Sequence, residues 1–507
     1  MADAKHFVGA TLSTPTRGNP GDWIPFVDWW EVFPGNRGVS RAGDYGLFDA
    51  PLGVSLRIEP PSSSKPILVP DRPWETRSAF QPQHAWQGGG AYHLLYRSAN
   101  RMCYATSADG QVWSKPELDQ VEYEGSRRNN LIADLTPNPG FFEDPTAPAE
   151  SRFRAMIQEG GWHDAETGAK LTDEEGKRRL RHQDLEGESY TGPRTVLRHW
   201  VSGFASPDGI HWHRFAERIA DFSADGGVAP GYDPDTRRYF SYLRPGGVGR
   251  RAIALTATSD FTSWPAPTLV LYPDPQDEAD VSFYGAGYFR YPSRYPLHCL
   301  FLQIYHQSTD QLDNQLAVSR DGVHWHRPER RAIVGLGERG GGDDGMTRCW
   351  VSALLTLPDG SWAHPYEAIS TLHNAQEGMW PPIVPAPDPP QIRLACWRPH
   401  RLCGLEADPE GRFTIQTITP SRGELEVNYR TRVGGWMRFE LVQGIPSRLN
   451  PDAPGVPGFT FADCDPVTGD AECHRVSWRG VSDVRRAGAN LGIRVRMFQA
   501  KLFAFRI

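Results

Sequence analysis

One short phrase recurs through this chain and constrains its fold more than any other feature. Ser107-Ala108-Asp109-Gly110-Gln111-Val112-Trp113 returns as Ser206-Pro207-Asp208-Gly209-Ile210-His211-Trp212 and again as Ser319-Arg320-Asp321-Gly322-Val323-His324-Trp325. A degenerate copy, Ser259-Asp260-Phe261-Thr262-Ser263-Trp264, lies between the second and third. Asp-Gly after a β-rich run marks a turn, because Gly accepts positive φ and Asp bonds its own backbone. A Trp three residues beyond the Gly can fold back and pin that turn. A repeated pinned turn implies a repeated supersecondary unit.

Strand-like pairs precede each marker: 92–97 with 102–107, 153–159 with 200–206, 238–243 with 252–258, and 298–305 with 315–319. A fifth set, 350–357, 361–368 and 391–397, lacks the phrase. With an outer strand expected after each Trp, five four-stranded units around an axis make an all-β, five-bladed β-propeller over residues 1–398. Residues 163–194 interrupt the second unit with a charged stretch that reads as a solvated excursion, a lid or an oligomer contact. Within it, acids precede bases across 173–181, as a helix macrodipole prefers. From residue 399 to 507 the segments 412–417, 424–429, 436–441, 474–478, 492–497 and 501–505 alternate like half-buried strands, enough for a C-terminal β-sandwich.

The 51 Gly and 44 Pro among 507 residues fit short strands joined by many turns. A net charge of -7 gives no basic field, so nucleic acid is not an expected partner. Seventeen Trp exceed what the turns need. The surplus suits stacking on the C–H faces of sugars, and core packing would absorb it equally. No apolar run reaches the length of a membrane span, so no membrane partner is expected. Met1-Ala2-Asp3-Ala4-Lys5-His6 leads into polar sequence without the apolar stretch of a signal peptide, which reads as cytoplasmic. Cys103, Cys299, Cys349 and Cys396 sit in strand-like runs as small hydrophobes, while Cys464 and Cys473 flank a loop and could pair in an oxidising setting.

A propeller gathers its functional groups at the central opening, so carboxylates just before inner strands are the candidates. Asp144 precedes the inner strand of the second unit in Phe141-Phe142-Glu143-Asp144-Pro145, Asp225 precedes the third and Asp280 the fourth. Glu338, Asp343 and Asp344 lie in the Gly-rich loop before the fifth. Each alone also reads as a turn or a solvated acid. Together they would aim a ring of acids at one axis, where repulsion keeps one protonated beside an ionised neighbour. Cleaving an acetal needs such a pair. His211 with His213 and His324 with His326 alternate beside the turns, a spacing that suits local packing or a metal, and no metal is expected there. Asp463, Asp465 and Asp470 read as Asx turns or as an oxygen-ligand loop for a structural Ca²⁺, the sole ion considered; no cofactor is expected.

Together with the blade spacing and the Asp-Gly-x-x-Trp turns, Phe26-Val27-Asp28, Asp71-Arg72-Pro73-Trp74-Glu75, Asn129-Asn130 and Asp463-Cys464-Asp465-Pro466 resemble glycoside hydrolase family 32 and the related family 43 propellers. The likeness is to the bacterial group with a family 32 N-terminal-like domain and runs over nearly the whole chain. The resemblance implies that Asp144 corresponds to the Arg-Asp-Pro aspartate that stabilises the transition state, with Glu143 in place of the Arg. It places Asp225 where the general acid is expected, without the flanking Cys-Pro, and Asp280 at a substrate contact. Gln81-Pro82-Gln83-His84 stands where the family carries its nucleophile, and no carboxylate matches. Asp28 and Glu75 are the substitutes, against readings as a turn residue and a structural acid.

The expectation is an exo-acting glycoside hydrolase on a furanoside or small oligosaccharide. Asp280 and Glu338 would bind substrate or supply the missing carboxylate, and Asp344, His84, Trp350 and Trp380 would line subsites. A non-catalytic glycan-binding propeller is the alternative. A sialidase-like enzyme is a third reading, because the turns resemble sialidase Asp boxes. That reading needs an Arg cluster and a Tyr nucleophile, for which the sequence offers Arg127, Arg128 and Arg348. Whether the chain forms a homo-oligomer stays open.

Overall fold

The computed structural model describes residues 21–76, 79–135, 139–224, 228–246, 249–293, 297–375, 388–444 and 452–507. It is built mostly of strands, with one α-helix among the described residues. The Ser-x-Asp-Gly part of the turn phrase adopts the same geometry at each full copy. At the first, the Asp109 carboxylate accepts the N–H groups of Gln111 and Val112, both at 2.8 Å. Ser107 Oγ accepts the N–H of Gly110, and the Trp113 indole donates to the Gly110 carbonyl at 2.9 Å. Gly110, Gly209 and Gly322 have φ of 74, 79 and 75°, the left-handed region that favours glycine. Trp212 repeats the indole bond, whereas Trp325 meets the Tyr242 ring edge-on at 5.3 Å instead.

Each turn docks on the preceding sheet. Gly209 of the second sheet lies against Trp86 of the first, so an added Cβ would come within 2.7 Å of the indole. Phe261 of the third packs on Phe142 of the second, and Tyr242 of the third donates to the Gly322 carbonyl of the fourth. Gly110 of the first meets Leu357 near the end of the series, beside a bond from Tyr92 to the Thr356 carbonyl. The repeat therefore rivets neighbouring sheets, and the series returns to its start.

The first sheet holds Phe80–Gly88, Ala91–Ser98, Arg101–Ser107 and Leu131–Ile132, with Trp113–Ser114 at its side. The second runs Pro139–Glu143, Phe153–Asp164, Thr195–Ser206 and His213–Ala220, and the third Val228–Asp233, Arg238–Leu243, Ile253–Thr258 and Thr268–Leu271. The next sheet has eight strands. Val281–Arg290, His298–His306 and Gln311–Ser319 join Met346–Arg348 through one parallel step, Leu312 to Met346. Trp362–Ile369, Gln391–Trp397 and the early strand Ser63–Leu68 continue it, with Leu355–Thr356 at the side. Apolar clusters fill the gaps between successive sheets, for instance Leu95, Phe141, Phe153 and Phe204 between the first and second. Each buried side chain of this kind contributes roughly 1.5–3 kcal/mol.

Outer strands follow Trp113, Trp212 and Trp264, whereas after Trp325 there are two isolated bridges, Val318 to His326 and Asn314 to Val334. Within the insertion, the helix Asp173–Glu186 is longer than the charge pattern indicates. Thr172 caps its first turn and Gly187 ends it at φ 55°. Gly176 lies flat on Trp162, where an added Cβ would collide with the indole.

The C-terminal region carries most of one further sheet. This sheet is six-stranded and antiparallel, in the order Asp470–Arg475, Glu426–Gln443, Leu491–Arg506, Cys403–Ile418 and Leu52–Ile58, with Ile24–Pro25 on Leu491–Arg506. The segments at 424–429 and 436–441 fuse into one long strand, as do 492–497 and 501–505. Among the described residues no second sheet of similar size faces it. Its core instead runs on without a break into Phe289, Phe301, Trp362 and Trp397 of the eight-stranded sheet, while Phe459, Val467 and Trp478 pack from irregular segments. All seven cysteines are free. Cys464 is buried and accepts the Phe439 N–H, whereas Cys473 is exposed beside Glu426.

Candidate functional site

Small residues let the first strands of the sheets come close to neighbouring backbone. A Cβ on Gly140 would meet the Val228 carbonyl at 2.3 Å, and one on Gly287 would meet the Val351 carbonyl at 2.6 Å. Where these strands begin, polar groups from several sheets converge on Tyr284. The register of Val281–Arg290 shifts between Phe283 and Gly285, so Tyr284 is a bulged residue, re-aimed out of the pleat. Arg244, just past the strand Arg238–Leu243, donates to the Tyr284 carbonyl at 2.7 Å and places its guanidinium 4.4 Å from the ring centroid. Arg251 lies 5.4 Å from the same ring and 5.2 Å from that of Tyr305. His373 meets Tyr284 edge-on at 4.9 Å, and Trp350 does so at 6.0 Å.

Beside Tyr284, Arg348 and Glu367 form a two-point ion pair at 2.7 and 2.9 Å with the carboxylate 1% exposed. Burial disfavours the Arg348 charge, yet Glu367 and the Tyr284 hydroxyl beside it hold its pKa above the ordinary value. Arg97 comes from the first sheet. Burial lowers its pKa and the neighbouring Arg348 charge lowers it further, against the pull of Glu367. Two guanidinium groups thus sit close enough to repel. Burial and Arg348 also lower the His373 pKa, so its ring is neutral near pH 7. On the far side, Asp310 accepts the Tyr305 hydroxyl at 2.8 Å. The Trp350 indole N–H is buried and has no partner among the described residues.

The carboxylates singled out from the sequence do not assemble into a ring. Asp144 follows the strand Pro139–Glu143 at the end that pairs with Phe153, not the end where the strand begins. It is buried, takes the Thr146 N–H and hydroxyl at 2.9 and 2.7 Å, and accepts the Tyr239 hydroxyl at 3.0 Å. Tyr239 and Arg244 are five residues apart on one extended run, about 16 Å at 3.3 Å per residue, so Asp144 and Tyr284 belong to opposite ends of the sheets. Glu75 is a structural acid. It accepts the N–H groups of Asp71 and Arg72, the Tyr96 hydroxyl at 2.6 Å and Lys115 at 2.8 Å. Asp28 pairs with Arg320 at 2.7 Å and accepts the Trp30 N–H.

Asp280 accepts both the N–H and the hydroxyl of Ser308, and those bonds lower its pKa. Glu338 is exposed; Asp343 pairs with Arg393 at 2.6 Å, and Asp344 accepts the Gly340 N–H within its own loop. His84 stacks between Trp86 and Phe141, each 5.5 Å away. Neither of its ring nitrogens has a partner among the described residues, and burial pushes its pKa down to about 3. Among the described residues nominated for hydrolase catalysis or substrate binding, Trp350 alone stands in the Tyr284 cluster. Asp225 and Trp380 lie outside the described residues.

The other sequence candidates take local partners. His211 and His324 bond the Asp of their own turns, at 2.7 and 2.6 Å. Asp463 bonds Thr460, Asp465 bonds Ser477, and Asp470 pairs with Arg398 and Arg401, so the three acids face separate neighbours. Arg127 and Arg128 bond the Asp119 carbonyl and the Glu117 carboxylate, which leaves Arg348 as the one nominated arginine at Tyr284. The remaining members, Arg97, Arg244, Arg251, Tyr284 and Glu367, escape sequence reasoning. The available signal is charge inside apolar strands: Glu367 lies in Trp362–Ile369, all of whose residues are buried.

No protein-family model and no curated protein matches the sequence. Solved structures are similar at low identity. An N-acetylgalactosamine deacetylase from F. plautii in complex with blood group B trisaccharide is 14% identical, covering 67% of this chain and 94% of its own, at a TM-score of 0.38. A thermostable family-43 glycoside hydrolase is 11% identical over 64% of this chain and 90% of its own, at 0.37. A structure from the GH130 family of mannoside phosphorylases, which contains glycoside hydrolases that target β-1,2 mannosidic linkages in Candida mannan, is 13% identical over 72% and 97%, at 0.37. Likeness at this level identifies neither a substrate nor a reaction.

Proposed function

We propose that the chain is a five-bladed β-propeller, braced by its C-terminal sheet, and a glycosidase-type enzyme that works at the mouth built around Tyr284. The convergence of the Tyr284 hydroxyl, the buried Arg348–Glu367 pair and the Trp350 ring where the inner strands begin carries this reading. Glycoside cleavage needs a nucleophile, a proton for the leaving oxygen and a surface on which the sugar lies. The Tyr284 hydroxyl, beside the fixed Arg348 guanidinium, is the oxygen proposed as nucleophile. Glu367 fixes Arg348 in place, and Trp350 offers an aromatic face with a spare N–H.

In the proposed sequence the Tyr284 oxygen attacks the anomeric carbon as the glycosidic C–O bond breaks. Asp225, the acid nominated from the sequence, gives its proton to the departing oxygen. Water then displaces the tyrosine oxygen from the sugar, passing a proton back to Asp225. An exo mode on a short glycan belongs to the same proposal. This is closer to the sialidase-like reading than to carboxylate-pair hydrolysis, since the described acids do not form a facing pair at the mouth. The test is sugar release from aryl and natural furanosides and pyranosides by the wild type and Tyr284→Phe. The expected outcome is hydrolysis by the wild type that falls at least about 100-fold in the folded variant. A wild type that binds a glycan without turning it over would overturn the enzyme in favour of a binding propeller.

A further inference from the structure

Among the described tryptophans only Trp29 and Trp30 are exposed, each at 41%. They adjoin in the chain, and both line a cleft of about 660 Å³ together with Pro34, Pro51 and His326. That volume is in the range that takes a small ligand. Burying two indoles would stabilise the fold, so their exposure is a cost that packing does not explain. The segment that carries them is firmly held. Asp28 accepts the Trp30 N–H at 2.9 Å and pairs with Arg320, whose guanidinium lies 5.0 Å from the centre of the Trp30 ring. The Gln416 amide donates to the Trp30 carbonyl at 2.8 Å, and Val32 and Phe33 are joined through their backbones to Ile415 and Thr414. The two rings therefore stand in water on a support fixed to the Arg320 turn and to the C-terminal sheet. Among the described residues neither indole N–H has a hydrogen-bond partner, and the His326 ring has none either. Desolvation lowers the His326 pKa, so near pH 7 its ring is neutral and offers one N–H and one bare nitrogen. Asp28 is answered by Arg320, which leaves the cleft without an unpaired charge.

On the glycan-processing reading above, we infer that this cleft is a second, non-catalytic site that holds a neutral sugar ring. The C–H face of the ring lies on an indole, and its hydroxyls meet the indole N–H groups and the two imidazole nitrogens. The cleft is remote from Tyr284. Leu312 pairs with Tyr305, whose ring meets that of Tyr284, and Ser319, next to Arg320, lies seven residues further along the strand, about 23 Å at 3.3 Å per residue. A site at that distance takes no part in bond cleavage. It tethers the protein to a glycan-rich surface and so raises the effective concentration of short chains at the mouth.

Affinity electrophoresis of the full chain through gels carrying arabinan, xylan, mannan or inulin, each read against a glycan-free gel, tests this. The expected result is retardation by at least one glycan, weakened about 10-fold or more when Trp29→Ala and Trp30→Ala are combined. Tyr284→Phe should be retarded like the wild type, and the double variant should release sugar from a small aryl glycoside within a few-fold of the wild-type rate. Trp30→Phe keeps a ring but loses the N–H, so it should retain part of the retardation; it carries the comparison if the double variant melts below the wild type. Retardation unchanged in the double variant and in Trp30→Phe, or lost in Tyr284→Phe alone, overturns the inference. A polyproline peptide bound at the cleft where no glycan is, or a dimer abolished by the double substitution, also overturns it and assigns the cleft to a protein partner. No retardation in any gel, beside sugar release from a small glycoside, would sink this inference alone and leave the glycosidase standing. Neither retardation nor sugar release would sink both.

Discussion

Glu75 shows how a buried acid can be fully engaged without taking part in chemistry. Its side chain has no exposed surface, Lys115 beside it is 5% exposed, and four hydrogen-bond donors converge on its two oxygens. Glu75→Ala leaves the ammonium buried with Asp71, at 2.6 Å, as its one carboxylate and the Val69 carbonyl as its other partner. The expected loss is about 3 kcal/mol of stability by denaturant titration, without a change in any sugar affinity. Sequence reasoning reached Glu75 and Asp144 because both sit in recognisable acidic phrases. It did not reach Tyr284, Glu367 or Arg251. Those residues lie on or beside strands far apart in sequence, and nothing in their spacing records that the packing of the sheets brings them together. Trp350 was legible from its position beside the loops of the fifth unit.

Among the elements, the Asp-Gly turns and the second strands were plain in the sequence. Arg238–Leu243 and Gln391–Trp397 fall where their apolar alternation puts them. The first strands were not, and the reason is steric. Pro139–Glu143 and Val228–Asp233 carry Pro and Gly, which read as turn signals, yet Gly140 lies so close to the Val228 carbonyl that a side chain there would collide with it. Glycines in the turns divide by what they touch. Gly209 has φ 79° and faces Trp86, whereas Gly89 has φ 59° and faces open space. Gly209→Ala combines left-handed strain with a clash against a buried indole and should cost about 2–4 kcal/mol, against about 1 kcal/mol for Gly89→Ala. Thermal unfolding of the two variants in parallel checks the difference; equal losses would mean that the turn does not rivet the sheets.

At the scale of the molecule, several buried imidazoles set the response to acid. Burial lowers the pKa of His84 to about 3 and those of His298, His364 and His400 to about 4. In the unfolded chain each titrates near 6.5, so below that pH the unfolded state binds protons that the folded state refuses. Stability is therefore full above about pH 6.5 and falls as the pH drops towards 4. The slope approaches about 1.4 kcal/mol per pH unit for each group once its unfolded form is protonated. Denaturation midpoints between pH 7 and 4.5 check this, and His84→Phe should flatten the dependence by one proton.

The central claim is that chemistry belongs to the Tyr284 end of the sheets and not to the Asp144 end. Hydrolysis of the best substrate should be measured side by side for the wild type, Glu367→Gln and Asp144→Asn, with folding confirmed by circular dichroism. The account predicts that Glu367→Gln loses at least about 100-fold in kcat/KM while Asp144→Asn keeps its rate within a few-fold. A folded Asp144→Asn that is inactive beside an active Glu367→Gln would contradict it, and would return the reaction to the opposite end of the sheets.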